Sequence, residues 1–413
     1  MTLRLLIFLV CFPLPVVVLA NESQVDQLTA WLAENSLDAA SMTDLQEQPW
    51  AKSALTKREC QKATSALWAA RKSKLQSIRK AEHQAGKIVL DGLEMPFWFK
   101  VFGKPPRDGR SLYISMHGGG GTAAAVNDRQ YENQKRLYQP AEGVYLVPRA
   151  PTNKYNLWHQ AHIDEFFGRL IANMVVFEGV NPNKVYLMGY SAGGDGVYQV
   201  APRIADRFAA ASMMAGHPNE SKLDGLRNLP FAIFMGANDA AYKRNQQAEK
   251  KGKRLAELRK KDPKGYIHSV SIYPGMGHWM QRRDVVAVPW MAKYQRRQYP
   301  DRVVWRQDDV THSQAYWLRT SEPVKAGDTV VATRNRNSFE IVSSSVKQLT
   351  LLLNDQFVDL DRPVTVKVAG REKVTQTPQR TIAALVRSLQ ERDDPEMMFS
   401  AEVTVEYAAG NEL

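Results

Sequence analysis

The sequence predicts an α/β protein with a mostly parallel sheet, an N-terminal helical extension and a small C-terminal β-rich domain. The first observation behind this prediction is that apolar, strand-like runs alternate with helical patterns between residues 87 and 300. This alternation is typical of a sheet that helices cover on both faces. Strands are expected at 95–103, 111–117, 143–148, 184–190, 208–216, 230–239 and 266–275, and helices at 162–179, at 192–205 and after His278.

The other two observations concern the flanking segments. Residues 21–86 have helical apolar spacing and few glycines. Residues 301–413 contain short β-branched runs separated by Asn, Asp, Gly and Pro, which is the pattern of strands and turns, with a single helix candidate among them. The predicted domains are therefore a helical extension at 21–86, an α/β domain at 87–300 and a β-rich accessory domain at 301–413.

Residues 1–20 have the features of a secretory signal peptide. Arg4 precedes an apolar run that Pro13 and Pro15 interrupt, and the run ends on small residues up to Ala20. We expect cleavage before Asn21 and a secreted or periplasmic protein without an integral membrane segment in its mature form. The alternative is an uncleaved anchor helix, for which the run is short.

Charge and cysteine content narrow the possible partners. The chain of 413 residues has a net charge of +12, and much of this excess lies at 243–264. That segment has a sparse apolar stripe and lacks the interleaved aromatic residues of single-strand nucleic-acid binders, so we expect a solvated amphipathic helix and no nucleic-acid partner. Docking to an anionic polymer or membrane remains the alternative. Signal cleavage would remove Cys11 and leave Cys60 alone, without an internal disulfide.

A serine lies between glycines directly after a predicted strand. Residues 189–193 read Gly-Tyr-Ser-Ala-Gly and fit the Gly-x-Ser-x-Gly pattern, in which glycines permit a very tight turn from a strand into a helix. A serine hydroxyl becomes a good nucleophile only when a positioned base removes its proton. Ser191 is therefore the candidate nucleophile, and the chain must also supply a base and an acid.

Asp239 and His278 are the candidates for the acid and the base. Each follows a predicted strand, and active sites in open parallel sheets collect at the carboxyl ends of strands. The rival residues fit less well. His268 is expected within a strand, Asp195 is expected to cap or pack on the helix after Ser191, and Asp284 follows the histidine and breaks the order.

A glycine-rich loop after an early strand can supply hydrogen-bond donors. His117 is followed by four glycines at 118–121, and backbone N–H groups of such a loop can face a substrate carbonyl. We expect the oxyanion hole to be formed by Gly119, Gly120 and Ala192, the last at the start of the helix after the nucleophile. His117 is expected to fix the loop through its hydrogen bonds and to take no part in the chemistry.

These motifs resemble those of a known family. The segment 88–300 resembles an α/β-hydrolase and is similar to secreted serine esterases grouped with polyhydroxybutyrate depolymerases and feruloyl esterases. The resemblance rests on the His-Gly-Gly-Gly loop at 117–120, the Ser191 motif, and Asp239 and His278 in that order. It implies a Ser-Asp-His hydrolase without a metal or organic cofactor, and it does not reach the helical extension or the C-terminal domain.

The sequence thus predicts an exported serine hydrolase that cleaves carboxylic esters, polymeric ones included, through an acyl-enzyme. One alternative is a prolyl-oligopeptidase-like peptidase, although residues 21–86 are too few for the usual propeller. Another is a polysaccharide-binding protein with a vestigial triad. The oligomeric state is left open. Candidate substrate-pocket residues are Tyr190, Trp158, His159, His162 and Trp279; local packing is the alternative for Trp158, His159 and His162, and core packing for Trp279. Trp305, Tyr316 and Trp317 in the C-terminal domain are aromatic enough to stack on sugars, although such residues more often belong to the core. Asn354, Asp355, Asp359 and Asp361 are expected to be turn residues and not a calcium loop.

Overall fold

A computed structural model describes residues 23–407, so the predicted signal peptide at 1–20 lies outside the described residues. Its largest sheet has eight strands in the order β1-β2-β4-β3-β5-β6-β7-β8. The strands are β1 (Lys87–Leu90), β2 (Leu93–Phe102), β3 (Arg110–Met116), β4 (Gly143–Pro148), β5 (Val180–Tyr190), β6 (Ala210–Met214), β7 (Phe231–Gly236) and β8 (His268–Tyr273). Only the pairs β1–β2 and β2–β4 are antiparallel. All remaining pairs of this sheet are parallel, which confirms the predicted mostly parallel sheet.

Helices cover both faces of this sheet. They are α4 (Ala124–Gln134), α5 (His162–Phe177), α6 (Ala192–Arg203), α7 (Arg244–Lys261) and α8 (Ala287–Met291). Successive side chains of a strand point to opposite faces, so β3 contributes to two separate cores. Leu112 and Ile114 join the core beneath α5 and α6, whereas Tyr113 joins the core beneath α8. The predicted helix in the basic segment is α7, which buries Leu255 and Leu258.

The N-terminal helices pack against the C-terminal region. They are α1 (Gln24–Glu34), α2 (Ala39–Glu47) and α3 (Lys57–Ala85), and their apolar faces form a third core with α9 (Ile382–Arg392). The buried guanidinium of Arg71 on α3 donates to the carboxylate of Asp393 at 2.7 Å. The boundaries at 86 and 300 therefore remain predictions, since the first and last segments of the chain share one core.

The C-terminal region is rich in strands, as predicted. It forms a five-stranded sheet in the order β16-β15-β13-β12-β9 and a four-stranded sheet in the order β10-β11-β14-β17. The strands are β9 (Arg302–Arg306), β10 (Gln314–Ala315), β11 (Leu318–Arg319), β12 (Thr329–Asn335), β13 (Ser338–Ser344), β14 (Gln348–Leu353), β15 (Val364–Val368), β16 (Arg371–Gln376) and β17 (Ala401–Glu406). The turn carboxylates Asp355 and Asp361 both accept hydrogen bonds from Arg380.

The three aromatic residues considered for sugar stacking are core residues. Trp305, Tyr316 and Trp317 are at most 4% exposed, so none offers a ring face to a polysaccharide. Trp317 packs its ring against Phe339 and Phe357, and its indole N–H donates to the Pro300 carbonyl at 2.9 Å. The stacking alternative is wrong for these residues, and the expectation that such residues more often belong to the core is confirmed, because burying large aromatic rings stabilises the fold.

Replacing Trp317 with alanine should therefore affect stability rather than polymer binding. We expect Trp317→Ala to lower the free energy of unfolding by about 3–5 kcal/mol, because a buried aromatic ring is lost and a cavity is left. Urea unfolding of both proteins measures this difference. An unchanged unfolding midpoint would show that Trp317 does not lie in the core.

None of the helices between residues 23 and 407 combines the length and the apolar character that a membrane crossing requires.

Candidate active site

Ser191 lies at the sharp turn between β5 and α6. Its backbone has φ 58° and ψ −122°, a conformation that side chains rarely adopt and that costs on the order of 1–3 kcal/mol. The flanking glycines are required by close approach: a Cβ at Gly189 would lie 2.3 Å from the Gly193 carbonyl oxygen, and one at Gly193 would lie 2.1 Å from the Met116 carbonyl oxygen. The turn therefore holds the serine at the carboxyl edge of the sheet in one fixed orientation.

The structure brings Asp239 and His278 to this serine. His278 follows β8, and its Nε2 lies 2.9 Å from the Ser191 Oγ. Its Nδ1 lies 2.7 Å from Oδ2 of Asp239, which follows β7 and is 3% exposed. An ionised carboxylate can only accept, so Nδ1 carries the proton and Nε2 is free to accept the serine hydroxyl. The Arg244 guanidinium lies 3.7 Å from the other Asp239 oxygen.

The rival residues have other partners. Asp195 accepts the backbone N–H of His217 at 2.6 Å, and burial raises the pKa of its carboxyl to about 6. Asp284 accepts the hydroxyl of buried Tyr138. His268 lies at the start of β8, where its Nδ1 donates to the Tyr266 carbonyl at 2.8 Å. The Asp195 backbone N–H donates to the Ser191 carbonyl at 3.0 Å, but none of these three side chains hydrogen-bonds to Ser191 or His278 within the described part of the chain.

The glycine loop after β3 runs directly beside the serine. A Cβ at Gly118 would lie 3.2 Å from the Ser191 Cβ, and Gly119, Gly120 and Gly121 all have positive φ. The N–H of Gly120 donates to Oδ1 of Asn127 at 2.8 Å, so the expectation that Gly120 is an oxyanion donor was wrong. The N–H groups of Gly119 and Ala192 have no acceptor among residues 23–407 and are the remaining candidates.

His117 fixes the shape of the loop. Its ring is fully buried, its Nδ1 donates to the Gly118 carbonyl at 2.6 Å, and its Nε2 accepts the Ala150 N–H at 3.1 Å. Burial disfavours the charged ring and lowers the pKa of His117 to about 4 from its ordinary value of 6.5. A neutral ring with these bonds positions the backbone, as the sequence led us to expect, and is unsuited to carry a proton at neutral pH.

This burial predicts a specific pH dependence of stability. The unfolded chain binds a proton at His117 below about pH 6.5, whereas the folded chain binds it only near pH 4. The contribution of His117 to the free energy of unfolding is therefore fully present above pH 6.5 and decreases as the pH falls toward 4. We expect the free energy of unfolding of wild type to fall by about 2–3 kcal/mol more than that of His117→Gln between pH 7 and pH 4. Urea unfolding at both pH values measures the difference; identical losses would contradict a buried neutral His117.

A cavity of about 610 Å³ opens in front of the serine. One wall is polar and comes from α4 and the residues after it, and the other contains the aromatic rings of Tyr190 and Trp279. The cavity is lined by Gly118, Gly119, Gln130, Asn133, Gln134, Arg136, Leu137, Tyr190, Ser191, His278 and Trp279. Sequence reasoning missed the α4 wall, because polar residues on a short helix resemble any solvated face.

Two of the five predicted pocket residues line this cavity. Trp279 is half exposed beside His278. Tyr190 also holds the histidine loop, since its hydroxyl donates to the His278 carbonyl at 2.7 Å and accepts the Met280 N–H at 3.0 Å. Both residues therefore remain candidates for substrate contact.

The other three predicted pocket residues lie elsewhere. Trp158 is fully buried beneath α6, where a Cβ at Gly196 would approach it to 2.5 Å, and its indole N–H donates to the His117 carbonyl. His162 begins α5 and packs against Phe166. His159 offers its carbonyl to Arg203. The expectation that Trp158, His159 and His162 overhang the site was wrong, because this connection turns inward to bury its apolar side chains.

The fold and a match to a known family of sequences together indicate the class of protein. Residues 150–298 match the sequence profile of the dienelactone hydrolase family. The chain has the predicted α/β-hydrolase fold, and the resemblance to serine esterases of that fold is confirmed. No curated protein matches the sequence.

Solved structures of esterases are similar to part of the chain. A thermostable esterase is 18% identical with a TM-score of 0.40, over 51% of this chain and 62% of that one. The poly(3-hydroxybutyrate) depolymerase from Bordetella parapertussis is 18% identical with a TM-score of 0.38, over 53% of this chain and 93% of that one. A ferulic acid esterase is 13% identical with a TM-score of 0.33, over 50% of this chain and 96% of that one.

Proposed function

We propose that the protein is an exported serine hydrolase that cleaves carboxylic esters through an acyl-enzyme, with Ser191 as nucleophile, His278 as base and Asp239 as the acid that orients it. The observation that carries this proposal is the continuous hydrogen-bonded chain from Ser191 Oγ through His278 to Asp239 at the cavity. Export rests on the signal-like residues 1–20.

Acylation follows from the tautomer of His278. Nε2 takes the hydroxyl proton as Ser191 Oγ attacks the ester carbonyl carbon, and Asp239 stabilises the imidazolium that forms. The carbonyl oxygen becomes an oxyanion, which the N–H groups of Gly119 and Ala192 would receive. Ala192 is the first residue of α6, and the positive end of that helix dipole favours the new charge. His278 then gives its proton to the departing alcohol.

Deacylation repeats these steps with water. His278 removes a proton from a water molecule that attacks the acyl-enzyme, and the collapse of the second oxyanion returns the proton to Ser191 and releases the acid. Proton balance requires no group other than these residues. The two-walled cavity suits an ester with a polar part toward α4 and an apolar part toward Trp279.

The proposal is tested by comparing two substrate classes on one protein. Initial rates are measured with p-nitrophenyl esters and with aminoacyl p-nitroanilides, using Ser191→Ala as the control. Serine-dependent turnover of the esters alone supports the proposal. Cleavage of the anilides would favour the peptidase, and inactivity of wild type on both would contradict an ester hydrolase of broad specificity.

A further inference from the structure

Asn127 is a buried polar side chain that the proposed chemistry does not use. It lies on α4, is 0% exposed, and directs its amide entirely at the loops beside Ser191. Oδ1 accepts the Gly120 N–H at 2.8 Å, and Nδ2 donates to Asn153 Oδ1 at 3.0 Å. Burying an amide costs free energy unless its groups are hydrogen-bonded, so this placement fixes Asn127 to the glycine loop.

The hydrogen bonds of Asn127 continue to the central sheet. Asn153 Oδ1 also accepts from Arg149 at 2.5 Å, and the Asn153 carbonyl accepts the Gly121 N–H at 3.0 Å. Arg149 directly follows β4, and it also donates to Asp128 beside Asn127 at 2.8 Å. Hydrogen bonds through two asparagines and one arginine therefore connect the glycine loop to the end of strand β4.

Two contacts, one made by His117 and one made by Asn127, fix the peptide groups on either side of Gly119. The Gly118 carbonyl accepts from buried His117. The carbonyl and N–H of a trans peptide point in opposite directions, so the Gly119 N–H points away from that ring. The next peptide is fixed by its N–H, which Asn127 accepts. Without this contact the Gly119–Gly120 peptide could rotate, because glycine populates both signs of φ.

The contact is also a close one. A Cβ at Gly119 would lie 2.2 Å from Asn127 Oδ1, and one at Gly120 would lie 2.4 Å from Leu157 Cδ2. Both glycines have positive φ, so the loop lies against Asn127 only because it lacks side chains. The amide and the glycines fit together as one unit.

We propose that Asn127 is a positioning residue of the oxyanion loop: by accepting the Gly120 N–H it holds the peptide that follows Gly119, and together with the His117 contact on the preceding peptide it keeps the Gly119 N–H directed toward the substrate oxyanion. This inference rests on the proposed ester hydrolysis. Asn127 is not among the residues that line the cavity and does not hydrogen-bond to Ser191, so it would act on the rate through the orientation of a donor.

The test separates the orientation of the donor from general stability. Asn127→Ala should lower kcat about 10–100-fold, a part of the effect of losing an oxyanion donor, while KM changes less than about 3-fold. A trifluoromethyl ketone, which forms an anionic adduct with the serine, should bind more weakly by the same factor as kcat/KM. Asn153→Ala, at an exposed position, should change both quantities in the same direction by a smaller factor and keeps the test usable if Asn127→Ala does not fold.

Asn173→Ala is the matched control, because Asn173 is also a fully buried amide but donates to Glu82 on α3 and forms no side-chain hydrogen bond with the glycine loop. It should lower the melting temperature while kcat and ketone affinity stay near wild type. Unchanged kcat and ketone affinity in the Asn127 and Asn153 variants, beside an active wild type, would overturn the inference alone. Absence of serine-dependent turnover in wild type would overturn the proposed function first.

Discussion

Ser191→Ala is expected to lower kcat/KM for p-nitrophenyl esters by about a million-fold, as removal of the nucleophile does in well-studied serine hydrolases. The reason is structural: the hydroxyl oxygen is the atom that His278 Nε2 contacts at 2.9 Å, and no other hydroxyl contacts that nitrogen within the described residues. Steady-state rates on purified wild type and variant, prepared in parallel, measure the loss.

Stability provides the control for this variant. The strained φ of 58° at position 191 is imposed by the turn and remains with alanine, so the melting temperature should stay within a few degrees of wild type. The cavity is also left intact, so substrate should still bind. A residual rate close to that of wild type would remove Ser191 from the mechanism.

Asp239→Asn is expected to lower kcat by about ten-thousand-fold, with little change in KM. An asparagine amide N–H facing Nδ1 donates a hydrogen bond to it, which forces His278 into the tautomer with its proton on Nε2. That nitrogen then cannot accept the Ser191 hydroxyl. The shape of the site is unchanged, so the loss isolates the tautomer and the charge of one residue. Measuring kcat and KM of wild type and Asp239→Asn over a range of pH tests this prediction.

Asp284→Asn is the matched control for this second variant. Asp284 is equally buried at 2% exposure, but its partner is Tyr138 and not His278. We expect its kcat to fall less than about ten-fold, because it does not orient the base. A larger decrease in kcat for Asp284→Asn than for Asp239→Asn would show that Asp284, and not Asp239, orients His278.

The candidate triad could be predicted because its signals are local. Ser191 sits in a five-residue motif, and Asp239 and His278 each come directly after an apolar run that ends at the same edge of the sheet. Parallel strands bring such residues together whatever the details of the helices. The same reasoning gave the mostly parallel sheet and most of its strands.

The parts that were missed depend on contacts between distant segments. The Gly120 N–H is committed by Asn127, and no motif links that helix residue to the glycine loop. Trp158 and Trp317 are aromatic residues in loop-like sequence, and only the three-dimensional packing shows that they are buried. The helical extension likewise packs on α9, more than three hundred residues further along the chain.

The role of Ser191 as nucleophile is tested most sharply by covalent labelling with a fluorophosphonate, with the labelled residue identified by peptide mass spectrometry. We expect one modification, on the peptide that contains Ser191, with loss of ester hydrolysis in proportion to the modified fraction and no label on Ser191→Ala. Labelling of another residue, or full ester hydrolysis by protein fully modified at Ser191, would contradict it.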